Sequence, residues 1–127
     1  MTNTRTRRAQ ILRDRARSNR TASAARRAAL HAARRVRTGP RSLVTHVIAT
    51  GADAATIKGV AAALRNVASR NGIKGRRTRT RRTFGGALRH AVNAWRYTRA
   101  QVAQIAAAYK PRKAEYKAVR AALLAAA

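Results

Sequence analysis

Apolar residues are spread unevenly along this chain, and where they recur they do so at helical spacing. Leu43, Val44, Val47 and Ile48 fall at i, i+1, i+4 and i+5, one face of a helix. Gly51 then reads as a helix C′ residue and Asp53 as the N-cap of the next helix. Ile57, Val60, Ala61, Leu64, Val67 and Ala68, spaced by threes and fours, form the clearest amphipathic helix of the sequence. Asn71-Gly72 supplies its stop. Leu88, Val92 and Trp95, at i, i+4 and i+7, predict a further helix over 87–95. Thr98-Arg99-Ala100-Gln101 reads as a capping box, opening a helix with Val102, Ile105, Ala106 and Tyr109 inward. Pro111 stands near the start of a last helix marked by Tyr116, Val119 and Leu123. No segment alternates apolar and polar residues as a half-buried strand would. At most, Arg76 to Phe84 forms a short ribbon or wing. The pattern predicts an all-α fold, a small domain of about four or five helices over 42–127.

Residues 1–41 break that pattern. They hold 13 of the chain's 30 Lys and Arg residues and only sparse apolar anchors, Ile11, Leu12, Leu30 and Val36. Ala22 to Val36 is rich in the helix formers Ala and Arg, but a helix there has little apolar surface to bury. The segment therefore reads as a basic arm, disordered or nascent helix when free. It would order along phosphate, with Arg26, Arg27, Arg34 and Arg35 as contacts. The plainer alternative is a solubilising tail. Thr38-Gly39-Pro40 closes it as a turn.

Charge narrows the chemistry sharply. Lys and Arg number 30 against 3 acids, a net charge of +27 over 127 residues. Almost none of this charge can be neutralised within the chain, so the partner must be a polyanion. Arg far outnumbers Lys, which favours bidentate contact with phosphate and guanine. A membrane surface is the weakest of the polyanions here, because the arm lacks a strong apolar face. There is no Cys, and His31, His46 and His90 are scattered, so no metal or cofactor is expected. Paired carboxylates, a Gly-x-Ser-x-Gly elbow and a phosphate-cradling Gly loop are all missing, so the chain does not read as an enzyme. No apolar run suits a signal peptide or a membrane span. A mitochondrial-type leader is set aside because the basic character continues far beyond a removable segment. The expected location is the cytoplasm, in association with the nucleoid.

The densest charge lies in the middle. Six of the nine residues from Lys74 to Arg82 are cationic: Lys74, Arg76, Arg77, Arg79, Arg81 and Arg82. Arg77, Arg79 and Arg81 alternate with Thr78 and Thr80, so an extended chain would carry three guanidiniums on one side. The run reads as a nucleic-acid contact, and its tight Gly75-Arg76-Arg77 start suits a minor groove. A solvated loop is the bland alternative. Arg65 and Arg70 precede it on the amphipathic helix. Residues 99–124 suggest a helix-turn-helix presenting Lys113, Lys117 and Arg120 at i, i+4 and i+7, with a plain packed hairpin as the rival. Trp95 and Tyr97, beside Arg96 and Arg99, could stack on bases but read first as core, as do Tyr109 and Tyr116.

Leu64-Arg65-Asn66-Val67-Ala68-Ser69-Arg70-Asn71-Gly72, with basic residues and another helix after it, is similar to the DNA-binding module of actinobacterial xenogeneic silencers. That resemblance implies a helix ending in Asn-Gly and an Arg-Gly-Arg loop entering the minor groove. Here the loop reads Lys74-Gly75-Arg76-Arg77, without the motif. The expectation is a non-enzymatic binder of duplex DNA, of nucleoid-associated, repressor-like or phage accessory type. The alternatives are an RNA binder of ribosomal type, or an inhibitor of a nucleic-acid enzyme or acidic partner. A core this small can fold alone but only marginally, so homodimerisation or coupling to DNA would add stability.

Overall fold

The computed structural model describes residues 3–83 and 89–126. Among them the order is α1 (Thr4–Thr38), α2 (Leu43–Ile48), α3 (Ala54–Arg70), β1 (Arg76–Thr83), β2 (Arg89–Arg96), α4 (Arg99–Ala108) and α5 (Ala114–Ala125). The protein is mostly helical, with one small antiparallel sheet of two strands.

Local chemistry sets the helix ends at the residues the sequence marks for them. Ser42 caps α2, accepting the Thr45 amide. Asp53 caps α3 through the Thr56 amide at 3.0 Å. Thr98 and Gln101 bond each other's backbone amides reciprocally at the start of α4. At the end of α3, Gly72 takes φ +66°, open to glycine at no steric cost. Its amide reaches the Ser69 carbonyl (3.3 Å), and the Ile73 amide reaches that of Ala68 (3.0 Å). These two bonds form a Schellman cap, and it turns Ile73 back onto the core.

α2, α3, α4 and α5 enclose that core. Val47, Val60, Leu64, Val102 and Ile105 are its largest fully buried side chains, and α5 adds Val119 and Leu123. Each such side chain contributes about 1.5–3 kcal/mol. Tyr109 is buried and Tyr116 packs against the cluster, as expected.

The segment expected to be a disordered or nascent-helical arm is a continuous helix of 35 residues. No Gly or Pro interrupts it, and Asn3 caps it by accepting the Arg5 amide. It ends at Gly39, inside the expected turn. Its apolar face is as thin as the sequence indicates: Ile11, Leu12 and Leu30 are each more than half exposed. The final turns, around Ala32 and the partly covered Ala29, Ala33 and Val36, pack on the body against α2, and farther back Asp14, Arg17, Thr21 and Ala25 line a groove against Asp53 and Ala54.

The helix predicted over 87–95 is a correction, while β1 occupies the stretch allowed as a short ribbon or wing. Arg89–Arg96 is β2, paired with β1 in the register Arg77↔Trp95, Thr78↔Ala94, Arg79↔Asn93, Thr80↔Val92 and Arg81↔Ala91. In a strand, residues three apart point to opposite faces. Val92 is therefore half-buried while Trp95 is 44% exposed, and Trp95 is not the core residue that helical spacing implied. Leu88, on which that spacing leaned, and Phe84 lie outside the described residues. The same finding removes the second helix implied by the silencer resemblance. A ribbon comes after Asn71-Gly72 instead.

The ribbon is fixed at its root. Arg41 and Tyr97 exchange backbone bonds of 3.0 and 2.7 Å, and the Gln101 side-chain amide donates to the Lys74 carbonyl at 3.1 Å. Gly75 makes the closest approach: a Cβ there would sit 2.7 Å from the Arg96 carbonyl oxygen and 3.0 Å from the Tyr97 ring. Backbone cannot yield as a flexible side-chain tip can. Gly75→Ala is accordingly expected to destabilise the fold by about 1–3 kcal/mol, the usual cost of overpacking. A denaturant midpoint unchanged from wild type would show that the root has room.

Candidate nucleic-acid interface

Directly opposed residues in an antiparallel pair share a face. One face of the ribbon therefore carries Arg77, Arg79 and Arg81 on β1 with Ala91, Asn93 and Trp95 on β2, and all six are exposed. The other carries Thr78, Thr80, Val92 and Ala94, all half-buried, with Thr78 donating to the Ala94 carbonyl. The guanidiniums thus project from one side at intervals of about 7 Å, two residues of extended chain. Arg76 is exposed on the opposite face. Arg82 belongs to β1, but its side chain lies outside what is described.

α3 supplies a second polar surface. Its apolar residues turn to the core, leaving Lys58, Arg65, Asn66, Ser69 and Arg70 exposed. The two surfaces meet beside the ribbon root. A groove of about 460 Å³ runs between Ser42, Arg65, Asn93 and Trp95, and another of about 230 Å³ between Arg65, Ser69, Lys74 and Trp95. Arg65 and Trp95 border both. Of the residues singled out from sequence, the fold brings Arg65, Lys74 and Arg77 into this neighbourhood, and Arg79 and Arg81 extend it outward. Sequence reasoning missed Asn93, Lys58, Asn66 and Ser69, and misplaced Trp95. Nothing in the local sequence marked the ribbon residues, since apolar side chains fall on both faces of Ala91-Val92-Asn93-Ala94-Trp95.

The other candidates are placed differently. Lys113, the N-cap of α5, and Lys117 within it are exposed, with the Lys113 ammonium 5.3 Å from the centre of the Tyr116 ring. Arg120 turns back: Nε donates to the Ala106 carbonyl at 2.9 Å and Nη2 to that of Ala107 at 3.4 Å. It ties α5 to the last carbonyls of α4, where a cation is favourable. Arg26, Arg27, Arg34 and Arg35 are exposed along α1.

The three acids keep clear of the ribbon. Asp14 on α1 accepts from the Gln10 side chain, and Glu115 lies in the first turn of α5. Asp53 caps α3, where hydrogen bonds from the side chain and then the backbone of Thr56 hold its carboxyl below the usual range. Two of the three thus serve helix N-termini, where negative charge is favourable. Among the described residues, no group of three His, Cys, Asp or Glu side chains could hold a metal, and no helix is long and apolar enough to cross a membrane.

His46 joins the core to the ribbon root. It is buried, and its Nε2 lies 2.8 Å from the Tyr97 carbonyl oxygen, so Nε2 carries the proton and donates. Burial pushes its pKa down; hydrogen bonds to the Tyr97 and Arg41 backbone oppose this, and the Arg99 charge adds to it. A histidine depressed below its unfolded value, about 6.5, binds fewer protons folded than unfolded just below that pH. Stability is then full above about pH 6.5 and falls as the pH drops toward the folded value. The melting temperature should decline between pH 7.5 and 5. His46→Gln, which can donate to Tyr97 without titrating, should flatten that decline; an equally steep decline in the variant would assign it elsewhere.

No protein family, curated protein or solved structure matches this chain.

Proposed function

We propose that the protein is a non-enzymatic binder of duplex DNA that lays the arginine face of the ribbon and the exposed side of α3 against the double helix. The observation that carries this reading is the ribbon face itself. Arg77, Arg79 and Arg81 stand in a row beside Asn93, with no carboxylate on either strand. Such a face is repulsive alone and is relieved by phosphate. Asn66, Ser69 and Arg65 on α3 offer donors and acceptors suited to base edges.

The helix-turn-helix role moves in this reading from α4–α5 to α2–α3. Those two helices are joined through Gly51, and the ribbon stands beside them as a wing. The commitment of Arg120 to the end of α4 weakens the α4–α5 pair for that role. α1 adds sequence-independent charge. Nucleoid compaction, repression and accessory roles in a phage are all compatible with such a mode.

The test is a salt titration of the full-length chain with duplex DNA and with a structured RNA of equal length. Preference for the duplex, with log affinity falling at a slope of about −4 or steeper against log salt, is expected. Tighter binding to the RNA, or a slope near zero, would overturn the proposal.

A further inference from the structure

We infer that the junction between the ribbon and α3 is a stacking site for a single unpaired nucleobase, with Trp95 as the platform. The inference rests on the nucleic-acid reading above and specifies which form of nucleic acid that face prefers. Trp95 is the chain's only tryptophan, and 44% of it is exposed. A tryptophan left this open forgoes much of the largest hydrophobic gain any side chain offers. Its surroundings say what can cover it. Arg77 is directly opposite across the strands, which places their Cβ atoms roughly 5 Å apart. Arg65 and Asn93 border the groove of about 460 Å³ on one side, and Ser69 and Lys74 the smaller groove on the other. The larger volume is within the range of small-ligand sites, roughly 300–1,000 Å³.

A second copy of the chain is a poor cover, because each copy carries +27 and would bring its own charge against three arginines. A base within intact duplex is no better, since both its faces are already stacked. An unpaired base beside duplex satisfies every group. Its ring stacks on the indole, its flanking phosphates meet Arg77 and Lys74, and Asn93 can donate to and accept from its edge. The preferred ligand is therefore DNA in which duplex gives way to single strand.

The single tryptophan makes this directly measurable. Full-length protein is titrated with a blunt duplex and with the same duplex bearing a short single-stranded overhang, while affinity and tryptophan emission are followed. Both should bind. The overhang should bind roughly 5- to 100-fold tighter, the worth of one stacked base, and should quench the emission more strongly. Trp95→Ala should abolish the difference between the probes, costing the overhang far more affinity than the blunt duplex, whose binding phosphate contacts mainly supply. Trp95→Phe, a smaller platform, should keep part of it and guards against a folding defect in the alanine variant. Equal affinities with unchanged emission would sink the stacking site while leaving duplex binding intact, as would a Trp95→Ala variant weakened alike on both probes. Failure to bind either probe would remove the duplex reading and this one together.

Discussion

Replacing Arg77, Arg79 and Arg81 together with alanine is expected to weaken duplex binding on the order of 100-fold near physiological salt and to flatten the salt slope by about 2.7. Each guanidinium on the exposed ribbon face can neutralise one phosphate, and each neutralised phosphate contributes about 0.9 to the slope. The fold should tolerate the change. All three side chains are exposed, and the half-buried face of Thr78, Thr80, Val92 and Ala94 is untouched. Removing three like charges from one strand relieves repulsion, so the melting temperature should hold or rise slightly. Lysine at the same positions should restore most of the slope, because charge is retained, but not any contact that needs the planar fork. Fluorescence anisotropy across a salt series reads both quantities. An unchanged affinity would move the contact from the ribbon to α1.

Leu64→Ala is expected to cost more stability than Gly75→Ala or any change on the ribbon face, about 2–5 kcal/mol. Leu64 is wholly buried, among Val60, Val102 and Ile105, in a core with few other large side chains. Domains of this size hold only about 5–15 kcal/mol in total, so the loss is a large share of the whole. Because Arg65 is the next residue, on the exposed side of the same helix, the loss should also reach DNA affinity. Saturating duplex, at about 100 times the dissociation constant, should return about 2.7 kcal/mol. A variant that melts within a few degrees of wild type would mean that the four-helix core can collapse around the gap.

The helices of the body are legible in the sequence because their signals are local. Asp53, Thr98-Gln101 and Asn71-Gly72 act on backbone groups within a turn of themselves, and Val60, Leu64 and Ala68 need only 3.6-residue geometry to line up. Residues 87–95 mislead because Val92 and Trp95 fit a helical period, although in the strand they occupy they point to opposite faces. What decides between helix and strand is pairing with the Arg-Thr run, a contact between segments that no local period encodes. The three arginines on one side are legible once an extended chain is assumed. Trp95 as their neighbour is not, since the register Arg77↔Trp95 is set by the closure of the ribbon. α1 reads as an arm because little there can be buried. Its uninterrupted Ala and Arg content nonetheless favours the helix that the structure contains. Arg120 looks like a third member of a basic face. Only the approach of α5 to the end of α4 turns it inward.

The length of α1 has a consequence for reach. At 1.5 Å per residue its 35 residues make a rod of about 52 Å. Its packing on the body is centred on its last turns. One turn of duplex is about 34 Å long. The rod therefore outspans a full helical turn, and in the proposed mode its far tip would address phosphate on a segment of DNA beyond the reach of the ribbon. In the proposed duplex mode, a rod of this length would set how much of the double helix a single molecule occupies.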